Sequence, residues 1–179
     1  MAKSHVLVTY ASKMGSTKEI AEAIARQLQI LRQLQILGMQ VTLAPCEDRI
    51  SPEGFDAVIV GSAIYTRRWM KAATRYLKRY ADRLDRDRTW LFHSGPCGEG
   101  AQDEQVRTPK AIERVIVPLG LRAPVTFGGR LDPEHATGLL SKWMSADGPL
   151  SGDFRDWDRI RGWAPDIAHH IEQTTVGGQ

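Results

Sequence analysis

The strongest constraint on the fold is a regular alternation of short apolar segments with amphipathic ones. The segment "FDAVIVGS" is almost wholly apolar, which is typical of a central parallel strand covered on both faces. From Thr17 onward, apolar residues recur at helical spacing instead. Strands that alternate with helices predict an α/β fold in which a parallel sheet lies between two layers of helices. The predicted strands are 5–10, 39–45, 55–62, 89–94 and 124–129, and the predicted helices are 17–37, 69–84, 108–119, 133–145 and 157–172.

Composition and length predict one globular domain over residues 1–179. The chain is 42% hydrophobic and 25% charged, which is enough for a substantial core. No apolar run approaches the ~20 residues that cross a bilayer, and the start of the sequence lacks the cleavage site of a signal peptide, so we expect a cytoplasmic location. Two cysteines, Cys46 and Cys97, are too few for a disulfide framework and do not have zinc-ligand spacing.

Positive charge is concentrated in one segment. Between Thr66 and Arg88 there are nine basic and three acidic residues, a net charge of +6, whereas the whole chain carries +3. One interpretation is a solvated helix face, and the other is a surface for an anionic substrate, partner or membrane. Nucleic-acid binding is not expected, because the basic residues lie on one helix without a base-reading motif.

The turn "SKMGST" joins the first predicted strand to the first helix. Backbone N–H groups at a helix N-terminus, together with the helix dipole, favour an anion at such a turn. The hydroxyls of Ser12, Ser16 and Thr17 add donors, and Gly15 allows the backbone to approach closely. Neither G-x-x-x-x-G-K-[ST] nor G-x-G-x-x-G is present, so the turn predicts a cradle for one compact phosphate. The alternative is a plain helix cap at Ser16 or Thr17.

Two further loops follow strands of the same sheet, in "GSAIYTRRWMKAA" and "HSGPCGEG". Ligands of open parallel sheets bind beyond the carboxyl ends of the strands, so these loops are expected to flank the first turn. Tyr65 and Trp69 are candidates to stack on a flat ring, although Trp69 is equally well interpreted as a core residue at the start of its helix. Nucleophilic catalysis by Cys97 with His93 is not expected, because no other residue completes a catalytic set.

The hexapeptide "RQLQIL" occurs twice in succession, at Arg26–Leu31 and Arg32–Leu37. Two short copies do not make a solenoid, so we interpret them as a tandem duplication that lengthens the first helix. No function is assigned to the duplication.

Near the end of the chain, Asp156 is expected to cap the last helix.

The three loops "SKMGST", "GSAIY" and "HSGPCG" resemble those of the flavodoxin-like fold. The resemblance implies a doubly wound, three-layer α-β-α fold with a five-stranded parallel sheet of order 2-1-3-4-5. It implies FMN as the cofactor, with the phosphate at Ser12–Thr17 and the ring between Ser62–Tyr65 and Ser94–Gly98. The cofactor-binding residues that it implies are Ser12, Lys13, Met14, Gly15, Ser16, Thr17, Ser62, Ala63, Ile64, Tyr65, Ser94, Gly95, Pro96, Cys97 and Gly98.

Within this fold, three segments resemble the menaquinone-dependent protoporphyrinogen dehydrogenase family of haem biosynthesis. They are "GSAIYTRRWMKAATRYLKRYADRL", "GGRLDP" and "DFRDWDRIRGWAPDIAHH". The resemblance implies an FMN-dependent oxidoreductase that transfers reducing equivalents from protoporphyrinogen IX, or a similar reduced substrate, to a quinone. We expect substrate propionates to be bound by Arg67, Arg68 and Lys71. Alternatively, the basic helix is expected to lie on an anionic membrane.

Other functions stay open at this point. A flavodoxin-type electron-transfer protein without its own substrate is one, although such carriers are typically acidic and this chain has a pI of about 9.0. A deazaflavin-binding relative and a flavin-free binding module are others. The expected partners are a small redox substrate and a quinone or redox partner, with homodimer formation left open. No catalytic side chain is assigned, because a flavin performs redox chemistry without a protein nucleophile. No metal is assigned either, because the two cysteines lack zinc-ligand spacing.

Overall fold

The computed structural model describes residues 4–33, 39–95, 97, 105–131 and 151–176. The predicted helix over 133–145 lies outside these residues, as do Pro96, Gly98 and most of the second copy of "RQLQIL".

The sheet has the predicted order. Its parallel strands run β2-β1-β3-β5-β6, and β4 is a short antiparallel addition to β3, so the five parallel strands follow 2-1-3-4-5. In register, Val8 of β1 lies between Leu43 and Ile59 of the neighbouring strands. A separate two-stranded sheet pairs β7 with β8. The strands are β1 (Ser4–Ala11), β2 (Met39–Pro45), β3 (Ala57–Tyr65), β4 (Arg68–Trp69), β5 (Thr89–Ser94), β6 (Val125–Phe127), β7 (Arg130–Leu131) and β8 (Gly152–Asp153).

Helices cover both faces of the sheet. The helices are α1 (Ser16–Gln33), α2 (Lys71–Arg79), α3 (Lys110–Ile116) and α4 (Trp157–Val176). Ile24 of α1 and Ile167 of α4 belong to one apolar cluster, whereas Leu77 of α2 and Ile116 of α3 belong to the other. This confirms the three-layer arrangement. The predicted apolar stripe of α1, formed by Ile20, Ala21, Ile24, Ala25 and Leu28, is buried.

The basic helix begins later than predicted. The prediction placed its start at Trp69, but Arg68–Trp69 instead pair with Ile64–Tyr65 as β4. Thr66 and Arg67 form the two-residue loop between the strands, with φ of 47° and 58°. Positive φ at both loop residues is the pattern of a type I′ turn, the hairpin connection that matches strand twist. The helix itself ends at Arg79 and is followed by a 3₁₀ turn.

The last two described helices also differ from their predicted bounds. The predicted helix over 108–119 covers only Lys110–Ile116. It starts after Pro109, because the residue before a proline favours extended backbone. The helix α4 begins at Trp157 as predicted and continues to Val176 instead of ending at residue 172. Its cap is Asp156, whose carboxylate accepts the N–H groups of Asp158 (3.1 Å) and Arg159 (2.9 Å).

Candidate functional site

A cavity of about 350 Å³ lies at the carboxyl ends of the parallel strands. Four segments form it: the turn after β1, the end of β3 with its hairpin, the loop after β5, and the residues after β6. This is where ligands bind in open α/β sheets, and described residues of all three loops that the sequence singles out line it. The lining residues are Ser12, Ser16, Thr17, Ala63, Ile64, Tyr65, Thr66, Ser94, Gly95, Cys97, Gly129, Arg130 and Leu131.

The turn after β1 presents a helix N-terminus. The carbonyl of Gly15 accepts the N–H of Glu19 (2.9 Å), which makes Gly15 the residue that caps α1. Its φ of 84° suits glycine and strains other side chains. The first N–H groups of α1 have no acceptor within the helix and carry the positive end of its dipole. The turn therefore offers backbone donors to an anion, as the sequence predicts.

The hydroxyl groups of this turn have three different environments. The Oγ of Ser12 is buried and has no hydrogen-bond partner among the described residues. The hydroxyl of Thr17 is hydrogen-bonded to that of Ser94 (2.8 Å), and the Oγ of Ser16 accepts the backbone N–H of Arg130 (3.1 Å). Leaving a buried hydroxyl unsatisfied costs about 1–3 kcal/mol. A ligand with acceptor oxygens in the cavity removes that cost at Ser12.

At the next loop, three of the four predicted residues line the cavity. Ala63, Ile64 and Tyr65 do so, and burial raises the pKa of the Tyr65 phenol, which is therefore neutral at ordinary pH. Ser62 is fully buried and accepts the backbone N–H of Met70 (3.0 Å) instead. It is not among the lining residues, and its hydroxyl fixes the junction between β4 and α2.

Trp69 and His93 belong to a buried polar chain behind the cavity wall. The indole Nε1 of Trp69 donates to Nδ1 of His93 (3.1 Å), and Nε2 of His93 is bonded to the hydroxyl of Thr126 (2.7 Å). Because an indole can only donate, Nδ1 accepts and Nε2 carries the proton. Burial lowers the pKa of His93 to about 4, so the ring is neutral and both nitrogens have structural partners. The placement favours the core interpretation of Trp69, although on β4 and not on a helix.

Cys97 lines the cavity as a neutral thiol. Burial raises its pKa to about 11, so little of it is thiolate near pH 7. Its sulfur lies beside the backbone of Gly129, where an added Cβ would meet it at 3.2 Å. That Cys97 has no nucleophilic role stays a prediction.

The remaining predicted residues that the structure describes, among them the half-buried Met14, do not line the cavity. Lys13 and Gly15 border a shallow depression next to Ser12, and Lys13 is exposed. Arg67, Arg68 and Lys71 are all exposed, and none of them lines the cavity. They begin immediately after Thr66, which does line it. Within the described residues they form no ion pair.

The segment after β6 contributes residues that sequence reasoning did not assign to the site. Arg130 on β7 pairs with Asp153 on β8, and the N–H of Phe154 donates to the carbonyl of Gly129 (3.0 Å). A Cβ on Gly128 would lie 1.9 Å from the carbonyl oxygen of Phe154, so only glycine fits there. The sequence could have indicated this segment, because two glycines directly after a strand are typical of a place where another backbone approaches closely.

The described part of the chain has neither a metal-binding cluster nor a membrane-spanning helix. No cluster of three or more His, Cys, Asp or Glu residues is placed to bind a metal ion there. None of the helices described is both long and apolar enough to cross a membrane.

Comparison with known proteins agrees with the fold. Among solved structures, flavodoxin 1 from Bacillus cereus is 13% identical, with a TM-score of 0.57, and the match covers 93% of this chain and 99% of that one. A flavodoxin from the domain Archaea is 16% identical, with a TM-score of 0.61 and coverage of 94% and 99%. The flavodoxin of Streptococcus pneumoniae TIGR4 is 17% identical, with a TM-score of 0.58 and coverage of 93% and 99%.

Sequence comparison assigns the family. The search of curated proteins finds no match. A family model described as a flavodoxin domain matches residues 7–134, which is more than half of the chain and includes all three predicted cofactor loops. The chain therefore belongs to the flavodoxin-domain family.

Proposed function

We propose that this chain binds FMN in the cavity and acts as an oxidoreductase. The observation that carries the proposal is the buried Oγ of Ser12, which has no hydrogen-bond partner among the described residues and lies next to the N-terminus of α1 and the hydroxyls of Ser16 and Thr17. A phosphate supplies acceptor oxygens to the hydroxyl of Ser12 and to the first N–H groups of α1.

The lining of the cavity fits the rest of the cofactor. Its volume of about 350 Å³ lies in the range of small-molecule sites. Apolar and aromatic groups from Ile64 and Tyr65 suit a flat ring, while Ser94, Gly95 and Cys97 bring polar groups to the same space. FMN, when bound, supplies hydride and single-electron chemistry. The protein residues position it and limit the access of water.

For the substrate, we propose protoporphyrinogen IX or a similar reduced compound with carboxylate groups, and a quinone as the electron acceptor. Support comes from the sequence likeness of "GGRLDP" and "DFRDWDRIRGWAPDIAHH" to dehydrogenases of that class. The exposed cations Arg67, Arg68 and Lys71 start beside the cavity, where they can pair with propionates. The same surface can face an anionic membrane in which a quinone is dissolved.

The alternative is a flavodoxin-type electron-transfer protein without a substrate of its own. The fold that the chain shares with solved flavodoxins favours it. The cationic surface beside the cavity favours the oxidoreductase, because it matches an anionic substrate. A deazaflavin in place of FMN would use the same phosphate cradle.

An anaerobic assay separates these functions. Protein supplied with FMN is mixed with protoporphyrinogen IX and menadione, and flavin absorbance and porphyrin fluorescence are followed together. We expect porphyrin to form faster than in a protein-free control and beyond one equivalent per protein. Bound flavin without porphyrin formation would contradict the dehydrogenase and leave the electron carrier. Repeating the assay with the deazaflavin distinguishes the two cofactors.

A further inference from the structure

An arginine that the sequence did not single out lies at the phosphate end of the cavity. Arg130 lines the cavity together with Ser12, Ser16 and Thr17, and its backbone N–H donates to the Oγ of Ser16. Its side chain is about one-third exposed. The positive charge is therefore attached through its own backbone to the turn that carries the proposed phosphate site.

The guanidinium of Arg130 is held by Glu19. Its Nη2 lies 2.9 Å from Oε1 and its Nη1 lies 3.2 Å from Oε2, a two-pronged contact that fixes the plane of the group. The Oε1 atom is itself 3.8 Å from the place where a Cβ of Gly15 would lie. Glu19 thus holds the guanidinium beside the turn and not out in solvent.

A second arginine keeps Glu19 in position. Arg155 is buried, with a side chain only 2% exposed, and donates through Nη1 to Oε2 of Glu19 at 2.8 Å. Its other donors bind Asp153, at 2.7 Å from Nε to Oδ1, and its guanidinium stacks on the ring of Trp157. Hydrogen bonds from Arg155 keep the pKa of Asp153 below its usual range. The carboxylate of Glu19 is consequently shared by two cations.

This arrangement changes the charge that an anion would meet at the turn. An unpaired carboxylate in the first turn of α1 would repel a phosphate, but both oxygens of Glu19 are in contact with guanidinium groups, Oε1 with Arg130 and Oε2 with Arg130 and Arg155. A guanidinium carries five N–H donors, and Arg130 uses two of them on Glu19. Within the described part of the chain, no other side-chain partner takes the remaining three.

From this geometry we infer that Arg130 is a cofactor-binding residue that gives a positive charge to the phosphate held at residues 12–17. Glu19 and Arg155 are the positioning residues that hold it there. The inference rests on the proposed binding of FMN. It adds a phosphate-specific ionic contact to a cradle that otherwise consists of hydroxyl and backbone donors.

The test compares two ligands that differ only by the phosphate. The affinities of FMN and riboflavin are measured by flavin fluorescence for the wild type, Arg130→Gln and Arg130→Lys. Arg130→Gln should weaken FMN binding roughly tenfold or more at low salt, the loss expected for one hydrogen bond to a charged group, and leave riboflavin affinity within about twofold. Arg130→Lys should weaken FMN binding less than Arg130→Gln does, because lysine keeps the positive charge. Added salt should reduce the difference in FMN affinity between the wild type and Arg130→Gln, because salt screens the ionic contact.

A matched control is Arg114→Gln, which removes an exposed arginine from α3 on the opposite face of the sheet. It should leave both affinities unchanged. If Arg130→Gln leaves FMN affinity unchanged, or weakens both flavins equally, the inference about Arg130 is wrong while the proposed function stands. If the wild type binds neither flavin, the proposed function fails and the inference fails with it.

Discussion

At the scale of single residues, buried polar side chains fix the walls of the cavity to one another. His93 is the clearest case, because it joins Trp69 of β4 to Thr126 of β6 through its two ring nitrogens. Thr126 also accepts the backbone N–H of Val106 (3.0 Å). Three segments distant in sequence thus depend on one neutral imidazole.

His93 makes stability depend on pH in a defined window. Its folded pKa of about 4 lies below the ordinary value of 6.5, so protonation favours the unfolded chain. The stability it contributes is complete above pH 6.5 and falls progressively as the pH drops towards 4, by up to roughly 3 kcal/mol. Urea unfolding of the wild type at pH 7.5 and pH 4.5 measures this loss.

The variant His93→Gln removes the titration and should flatten this part of the pH profile, although it lowers stability at neutral pH. The control His5→Gln replaces an exposed histidine and should retain the wild-type slope. A profile for His93→Gln as steep as that of the wild type would contradict the role assigned to His93.

At the scale of elements, the β3–β4 hairpin and α2 form one cationic surface that starts at the cavity. The residues Ala73, Tyr76 and Leu77 of α2 are buried against the sheet. The basic residues on the outer side are Arg67, Arg68, Lys71, Arg75, Lys78 and Arg79, all of them exposed. The hairpin residues lie nearest to the cavity, so they are the ones expected to contact an anionic substrate.

The double substitution Arg67→Ala with Arg68→Ala tests this surface. We expect KM for the anionic substrate to rise roughly five- to tenfold, because exposed ion pairs contribute about 0.2–1 kcal/mol each. The absorption spectrum of the bound flavin should not change, since neither side chain lines the cavity.

The matched control is Arg75→Ala with Arg79→Ala, which removes the same charge further along α2. An equal rise in KM for both pairs would indicate general electrostatic attraction instead of a site at the hairpin. If Arg67→Ala with Arg68→Ala changes neither KM nor binding to anionic vesicles, the segment is only a solvated helix face.

Sequence periodicity predicted the helices and strands best where burial is continuous. The apolar run in β3 and the stripe in α1 were predicted correctly, because their patterns report directly on the core. The hairpin at Thr66 and Arg67 was missed, since type I′ turns usually carry Asn or Gly and neither residue gives that signal. The start of the basic helix was misplaced for the same reason.

At the scale of the whole molecule, the cavity is built from segments far apart in the chain. The turn after β1 and the loops after β3 and β5 were predictable, because parallel strands bring their carboxyl ends to one edge. The fourth segment was not, since the contact of Arg130 with Glu19 spans 111 positions and depends on β7 pairing with β8. A charge cluster of this kind leaves no local pattern in the sequence.

The measurement that tests the central claim most directly is a titration of flavin-free protein with FMN and with riboflavin, repeated for Thr17→Ala and Thr17→Ser. We expect one FMN per chain, bound more tightly than riboflavin. Thr17→Ala should weaken FMN binding roughly tenfold or more and leave riboflavin affinity almost unchanged. Thr17→Ser keeps the hydroxyl that is hydrogen-bonded to Ser94, so its affinities should match those of the wild type. Equal affinity for the two flavins, or an equal loss of both in Thr17→Ala, would contradict a phosphate site at the turn.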